Sequence, residues 1–269
     1  MSAGRIHVGI GGWNYEPWRG VFYPPGLPQA RELEYAASHL TAIEINATYY
    51  RLQKPDSFAR WAGVAAPGFL YAVEGLRYCT NRKDLAEAGE AVERFCAQGL
   101  TELGDKLGPI LWQFMGTKKF DPDEFSAFLK LLPAKQDGVP LRHALEVRHE
   151  SFRDPRFLAL AREAGAAIVF ADSAQQPEFP HVTADFVYAR LQQARKNVET
   201  GYDERELDGW AEVARQWATG KAPEGLQYVT EDPSPEKPRD TYVFMINGAK
   251  LRAPAAAQAL LRKLEPATD

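Results

Sequence analysis

The sequence predicts an α/β fold, a (β/α)8 barrel of the TIM type. Eight short apolar runs rich in β-branched and aromatic residues occur at 7–10, 42–46, 69–74, 110–114, 144–148, 167–172, 186–190 and 242–247. Segments with helical character separate them. Runs of this kind are buried strands when helices cover both faces of a parallel sheet. Most of them also end on a polar or charged residue that a plain core does not need, and in a barrel the strand ends gather at the C-terminal mouth, where active sites lie. At 269 residues the chain is slightly longer than the ~250 of one such barrel, so a single domain over 1–269 is expected.

The elements follow in order. Helical patterns occupy 28–40, 55–66, 84–103, 121–132 and 155–164 between the first six runs. At Asp121-Pro122-Asp123-Glu124 a capping Asp precedes a first-position Pro and early acids, as a helix start prefers. The segment 203–219 places Leu207, Trp210, Ala211, Ala214 and Trp217 on one apolar face, and 254–264 reads as the closing helix. Two connections are irregular. Between runs six and seven, 173–184 contains Pro177 and Pro180 and is too short and broken for a full helix. Before run eight, 220–239 contains Pro223, Pro233, Pro235 and Pro238, and its fragment 226–229 reads as loop rather than as a ninth strand.

Composition narrows the function. Lys and Arg total 32 against 36 Asp and Glu, a net charge of −4, so no basic field advertises nucleic acid or a membrane surface. The start, Met1 to Arg5, has no apolar signal core, and no later run approaches the ~20 apolar residues of a membrane span, so a cytoplasmic protein is expected. Cys79 and Cys96 alone give neither a disulfide framework nor metal-ligand spacing.

The stretch from Gly9 to Gly20, Gly-Ile-Gly-Gly-Trp-Asn-Tyr-Glu-Pro-Trp-Arg-Gly, followed by Phe22-Tyr23-Pro24, resembles the opening of the YecE-like family, domain of unknown function 72. Further similar segments are 42–50, 106–109, 145–152, 171–173 and 183–191, in family order. The resemblance implies a TIM-type barrel and no established reaction. The chain departs from the family at the mouth. Arg190-Leu191-Gln192-Gln193 stands where Arg-Leu-His-Gly is common, Met245-Ile246-Asn247-Gly248 where Phe-Asn-Asn or Phe-Asn-Asp is usual, and Gln113-Phe114-Met115 where a Gln-Leu-Pro-like step is found.

Strand alternation puts Glu44 with Asn46 on one face, and Glu146 with Arg148. If that face is the barrel interior, these charges must pair or meet a ligand. A purely structural ion-pair network is one outcome. The functional one has Glu44, Glu146 and Asp172 as catalytic acid–base groups. Around them Trp13, Tyr15, Asn46, Tyr49, Glu74 and Gln113 bind substrate, together with Arg148, His149, Arg190 and Asn247. Arg148 and Arg190 would hold an anion. Aromatics at Trp13, Tyr15, Trp18, Tyr49 and Tyr50 either stack a sugar or seal the barrel end. Many barrel glycosidases carry their acids at the ends of strands four and seven, where this chain has Gln113 and Arg190, which argues against that chemistry.

Of the histidines only His149 falls near the mouth, which argues against zinc, whereas an oxygen-rich Mg or Mn site built from Glu44, Glu146 and Asp172 stays open. The turn Gly9-Ile10-Gly11-Gly12-Trp13-Asn14 fails the dinucleotide fingerprint, because Asn14 stands where its third glycine belongs. Arg190, Arg195, Lys196, Asn247, Gly248 and Lys250 occupy the loops where barrels often bind phosphate, and a solvated basic loop is the alternative for Arg195 and Lys196. The leading expectation is an enzyme, hydrolase or isomerase, acting on a small anionic or phosphorylated, sugar-like substrate. The rivals are a nucleic-acid-binding or repair protein and a non-catalytic ligand-binding barrel. No membrane partner is expected.

Overall fold

A computed structural model describes residues 3–230 and 236–265. The eight runs form the strands β1 (Ile6–Gly11), β2 (Ala42–Ile45), β3 (Leu70–Glu74), β4 (Leu107–Gln113), β5 (His143–Glu146), β6, β7 (Phe186–Leu191) and β8 (Asp240–Met245). β6 comes in two pieces, Ala167–Ile168 paired with β5 and Phe170–Asp172 paired with β7. Every neighbouring pair is parallel, and β1 pairs with both β2 and β8, so the sheet closes through the divided β6. At the break the Val169 N–H donates to the Leu145 carbonyl, and the Ile168 N–H turns to the Thr183 hydroxyl at 3.1 Å.

Alternation divides the core in two. Ile43, Ile45, Tyr71, Val73, Ile110 and Trp112 pack outward against the helices. Ala42, Leu70, Ala72, Leu111, Ala144, Ala167 and Val169 point inward to meet Phe186, Tyr188, Tyr242 and Phe244. Small residues on one side of the barrel therefore face large rings from β7 and β8, which fills the interior without voids. Gly9 of β1 belongs to this fit. A Cβ there would lie 2.0 Å from the Ala42 carbonyl oxygen and 3.2 Å from the Phe244 ring.

The helices α1 (Glu32–His39), α2 (Pro55–Val64), α3 (Gly89–Cys96), α4 (Pro122–Leu131), α5 (Pro155–Glu163), α6 (Glu204–Thr219) and α7 (Ala253–Leu264) coat the barrel. Asp121 accepts the N–H groups of Asp123 and Glu124 at the start of α4, and Asp203 forms a reciprocal box with Glu206 at α6. The expected helix over 84–103 is interrupted. It becomes a 3-10 turn Leu85–Ala88, then α3, then a 3-10 stretch Leu100–Lys106: Gly99 breaks the chain after α3 at φ 107°, where a Cβ would strike Pro55, and Gly104 at φ 58° kinks the last stretch. No helix spans 173–185 and no strand forms at 226–229, as the prolines imply. A two-residue hairpin, Lys135–Gln136 with Val139–Pro140, turns through Asp137 and Gly138, both at positive φ.

Gly9→Ala is expected to lower the unfolding free energy by at least ~1–3 kcal/mol through overpacking, measured by urea denaturation. A change within about 0.5 kcal/mol, the range of a neutral surface substitution, would contradict this account of the interior.

Candidate active site

At the C-terminal mouth one guanidinium reaches across the barrel. Arg190 of β7 donates to Glu146 of β5 at 2.5 Å and to Glu44 of β2 at 2.9 Å, and all three side chains are buried. Tyr188, two residues earlier on the same face, donates its hydroxyl to the other oxygen of Glu44 at 2.7 Å. Gln113 of β4 and Arg148, just beyond β5, donate to Glu146 at 2.8 and 3.2 Å. The Asn46 amide bridges Glu44 and Glu74 at 2.8 and 3.0 Å. A one-turn helix, Ala47–Tyr50, follows at once, and its Thr48 hydroxyl donates to the Glu74 carbonyl at 2.6 Å, fixing the end of β3.

Above this network lies a cavity of about 340 Å³. Its polar wall is Asn46, Glu74, Gln113, Arg148 and Arg190. The other side is Trp18, Tyr49, Tyr50, Asn247 and Lys250, and Ala253 at the start of α7 completes it. Lys250 pairs with no carboxylate among the described residues; its ammonium sits 4.8 Å from the Tyr15 ring centre and 5.8 Å from that of Trp18. The Trp18 indole N–H donates to the Lys250 carbonyl at 2.9 Å, clamping the loop after β8 to the aromatic loop after β1.

Electrostatics separate Glu146 from Glu74. Burial alone would raise Glu146, but the charges of Arg190 and Arg148 and the Gln113 amide overcome it and hold the carboxyl below its ordinary value. Glu74 has no cation of its own. Burial and the neighbouring Glu44 charge push it up to about 7, against partial relief from Arg190 and Asn46. The Tyr188 phenol lies well above its usual value through burial and the adjacent Glu44, so it stays a donor. Lys250 is lowered by desolvation.

The sequence-named residues do not all converge. Glu44 and Glu146, expected as acid–base groups, lie behind the cavity wall with their oxygens engaged; Glu74 is the carboxyl on the wall. Asp172 is not in this site. It shares the outward face of β6 with Ile168 and Phe170, accepts a hydrogen bond from Gln193, and borders a separate groove with Tyr202 and Trp210. Burial raises its pKa there. The oxygen set of Glu44, Glu146 and Asp172 is therefore not assembled. Among the described residues, no group of three or more His, Cys, Asp or Glu side chains is placed to hold a metal ion. His149 caps its own turn, accepting the Ser151 N–H at 3.1 Å, and is not on the cavity wall. Trp13 packs edge-on against Trp61, and Tyr15 reaches the site only by carrying Lys250. Arg195 is tied to Glu206. Sequence reasoning missed Tyr188, whose signal was its shared alternation with Arg190. It also passed over Gln192, which lies 3.4 Å from Glu146 and accepts from Asn247 at 3.3 Å.

Arg190→Met is expected to cost ~3–5 kcal/mol near pH 8, because it strands Glu44 and Glu146 in the interior. The loss should shrink toward pH 5 as stranded carboxyls take up protons, and adding Glu44→Gln and Glu146→Gln should recover much of it; a pH-independent loss would refute the ion network. Glu74 behaves oppositely to a paired acid. Its folded value of about 7 exceeds its ordinary 4.5, so the stability it contributes is complete below the ordinary value and is lost as pH rises through 7. Glu74→Gln should therefore be more stable than wild type above pH 7, by at most about 3 kcal/mol relative to pH 4.5. Parallel stability–pH curves for the two proteins, read by urea denaturation, would show this assignment to be wrong.

No helix among the described residues is long and apolar enough to cross a membrane. The family model described as "Protein of unknown function DUF72" matches residues 7–269. The chain is similar to the UPF0759 protein YecE of Escherichia coli (strain K12), 26% identical over 150 residues, which cover 55% of this chain and 50% of YecE. It is also similar to the UPF0759 protein YunF of Bacillus subtilis (strain 168), 25% identical over 158 residues covering 56% and 54%. The match spans about half the length of these curated relatives. Among solved structures, a DUF72 family protein from Thermotoga maritima has the same fold, with a TM-score of 0.70 at 24% identity over 96% of this chain and 98% of that one. With its model matched from the first strand to the C-terminus, the chain belongs to the DUF72 family.

Proposed function

We propose that the protein is an enzyme that moves a proton on a small anionic, sugar-like substrate, with Glu74 as the proton-transfer group. The observation that carries this reading is a carboxyl held up to about 7 on the wall of a cavity that also exposes Arg148 and Lys250, whose ammonium meets no carboxylate among the described residues. A catalytic base works best with its pKa near the operating pH, because it is then both available and basic. Within the site the acids divide their work: Glu44 and Glu146 hold Arg190, while Glu74 exchanges protons with the ligand.

This division favours isomerisation over hydrolysis. Glycoside hydrolysis needs two carboxyl groups facing one bond, and this cavity presents one. In the isomerase reading Glu74 takes a proton from the hydroxyl-bearing carbon beside the substrate carbonyl and returns it to the carbonyl carbon, while the hydroxyl proton passes to the former carbonyl oxygen across the enediolate. Arg148 and the second N–H of the Gln113 amide stabilise negative charge as it develops on oxygen. Lys250 holds the anionic group at the rim, beside the start of α7.

The test is solvent exchange. Aldose and ketose phosphates are incubated with enzyme in deuterated buffer, and loss of the C–H signal beside the carbonyl is followed by NMR. Exchange is expected to rise with pH through an apparent pKa near 7 and to fall at least ~100-fold in Glu74→Gln. Binding with no exchange across the panel would replace the enzyme by a ligand-binding barrel, and an undiminished rate in Glu74→Gln would remove Glu74 from the mechanism.

A further inference from the structure

The acid that lies apart from the mouth borders a groove of about 460 Å³, within the ~300–1,000 Å³ typical of small-molecule pockets. Asp172, at the end of β6, is 6% exposed, yet its side chain lines this groove. The Gln193 amide donates to one of its oxygens, and the other accepts no hydrogen bond among the described residues. Gln193 is itself fixed, because its backbone N–H donates to the Tyr202 hydroxyl at 2.9 Å. The lining carries two acids, Asp172 and Glu206, against one cation, Arg195, whose guanidinium is held by Glu206 and Asp203. Among the described residues Asp172 therefore has no cation of its own. Burial, with the charges of Glu178 and Glu206, raises its pKa against the relief from Gln193.

The rest of the groove is apolar and is kept open at a cost in helix propensity. Glu206, Gly209, Trp210 and Val213 line it from one face of α6, at three- and four-residue spacing, and Leu226 adds a further apolar wall. The Trp210 ring is braced against Phe170, with centres 5.7 Å apart. Gly209 lies in the interior of a 16-residue helix, where glycine is less favourable than alanine. No packing demands it, since a Cβ there would meet nothing within 4 Å. The missing side chain instead leaves the groove clear beside Trp210. We propose that this groove is a second ligand site, independent of proton transfer at the mouth, that takes a primary amine with a flat apolar body. The ammonium donates to the open oxygen of Asp172, and the body lies along Trp210, Val213 and Leu226. A charged donor gives the buried carboxylate the partner that desolvation makes valuable, and the indole face adds attraction for a cation.

Titration calorimetry at neutral pH with three probes separates the parts. Phenethylamine carries both charge and ring, 2-phenylethanol has the ring without the charge, and ethylamine has the charge without the ring. Phenethylamine is expected to bind at least ~10-fold more tightly than either of the others. Asp172→Asn, close in shape, should weaken it at least ~10-fold, and Gly209→Leu, which fills the groove from α6 without striking the core, should do the same. A readout on the unaltered protein accompanies these: the indole N–H signal of Trp210, identified by its loss in Trp210→Phe, should move as phenethylamine is added. No binding, equal affinity for amine and alcohol, or binding that leaves the Trp210 signal in place would overturn the proposal. Binding weakened by Glu74→Gln and untouched by Asp172→Asn would put the amine in the mouth and overturn it equally.

Discussion

The arrangement of the mouth depends on one buried guanidinium. Arg190 starts on β7 and ends against β2 and β5, so three separated strands share a single cation. Removing two carboxylates and a guanidinium from water is costly, and the cost is offset only when geometry is good and the remaining lone pairs are satisfied. Here they are satisfied by Tyr188, Asn46, Gln113 and Arg148, each on a strand or within two residues of its end. Arg190 itself sits above its ordinary pKa because the attraction of Glu146 and Glu44 outweighs its desolvation.

The same cation explains why the third acid differs. Arg190 has its two terminal nitrogens committed, one to each of Glu44 and Glu146, so Glu74 receives only an amide from Asn46 and a distant share of the charge. A buried carboxyl with a charged neighbour and no cation of its own keeps its proton until near neutral pH. Glu74 is therefore tuned by what Arg190 cannot reach. The structural network and the candidate chemistry are then two consequences of one shortage, the buried Arg190 shared among Glu44, Glu146 and Glu74 at the mouth.

Much of this was legible in the sequence, because period-two alternation survives without coordinates. The runs predicted the strands, and the pairing of Glu44 with Asn46 and of Glu146 with Arg148 on shared faces is what the geometry shows. Asp172 was misplaced for a reason of phase. Its run alternates small Ala167 and Ala171 with large Ile168 and Phe170, and in this barrel the large residues face the helices; Asp172 shares their face. Tyr188 was hidden by the opposite habit, since a tyrosine within an apolar run reads as packing until its hydroxyl finds a carboxylate. Lys250 and Tyr50 lie on loops, where no periodicity tells which side chains converge. The Asp137-Gly138 turn carries a standard hairpin signal, but the strands it joins have two residues each, too few to show alternation.

A division runs through the site that bears on how it could be adapted to different ligands. Charges borne by the strands, Glu44, Glu146 and Arg190, are bonded to one another and leave little for a ligand. Those that remain, Lys250 after β8 and the outer part of Arg148 after β5, lie beyond the strand ends. A scaffold whose interior charges are mutually satisfied can keep its fold while its loops change, since loops tolerate substitution and rigid strands do not. The departures of this chain from the family pattern, at Gln192, Gln193, Asn247 and Gly248, fall on those loops. For the proposed reaction, this assigns substrate choice to the rim and proton transfer to the strand ends, where Glu74 is held against a network that no loop substitution need disturb.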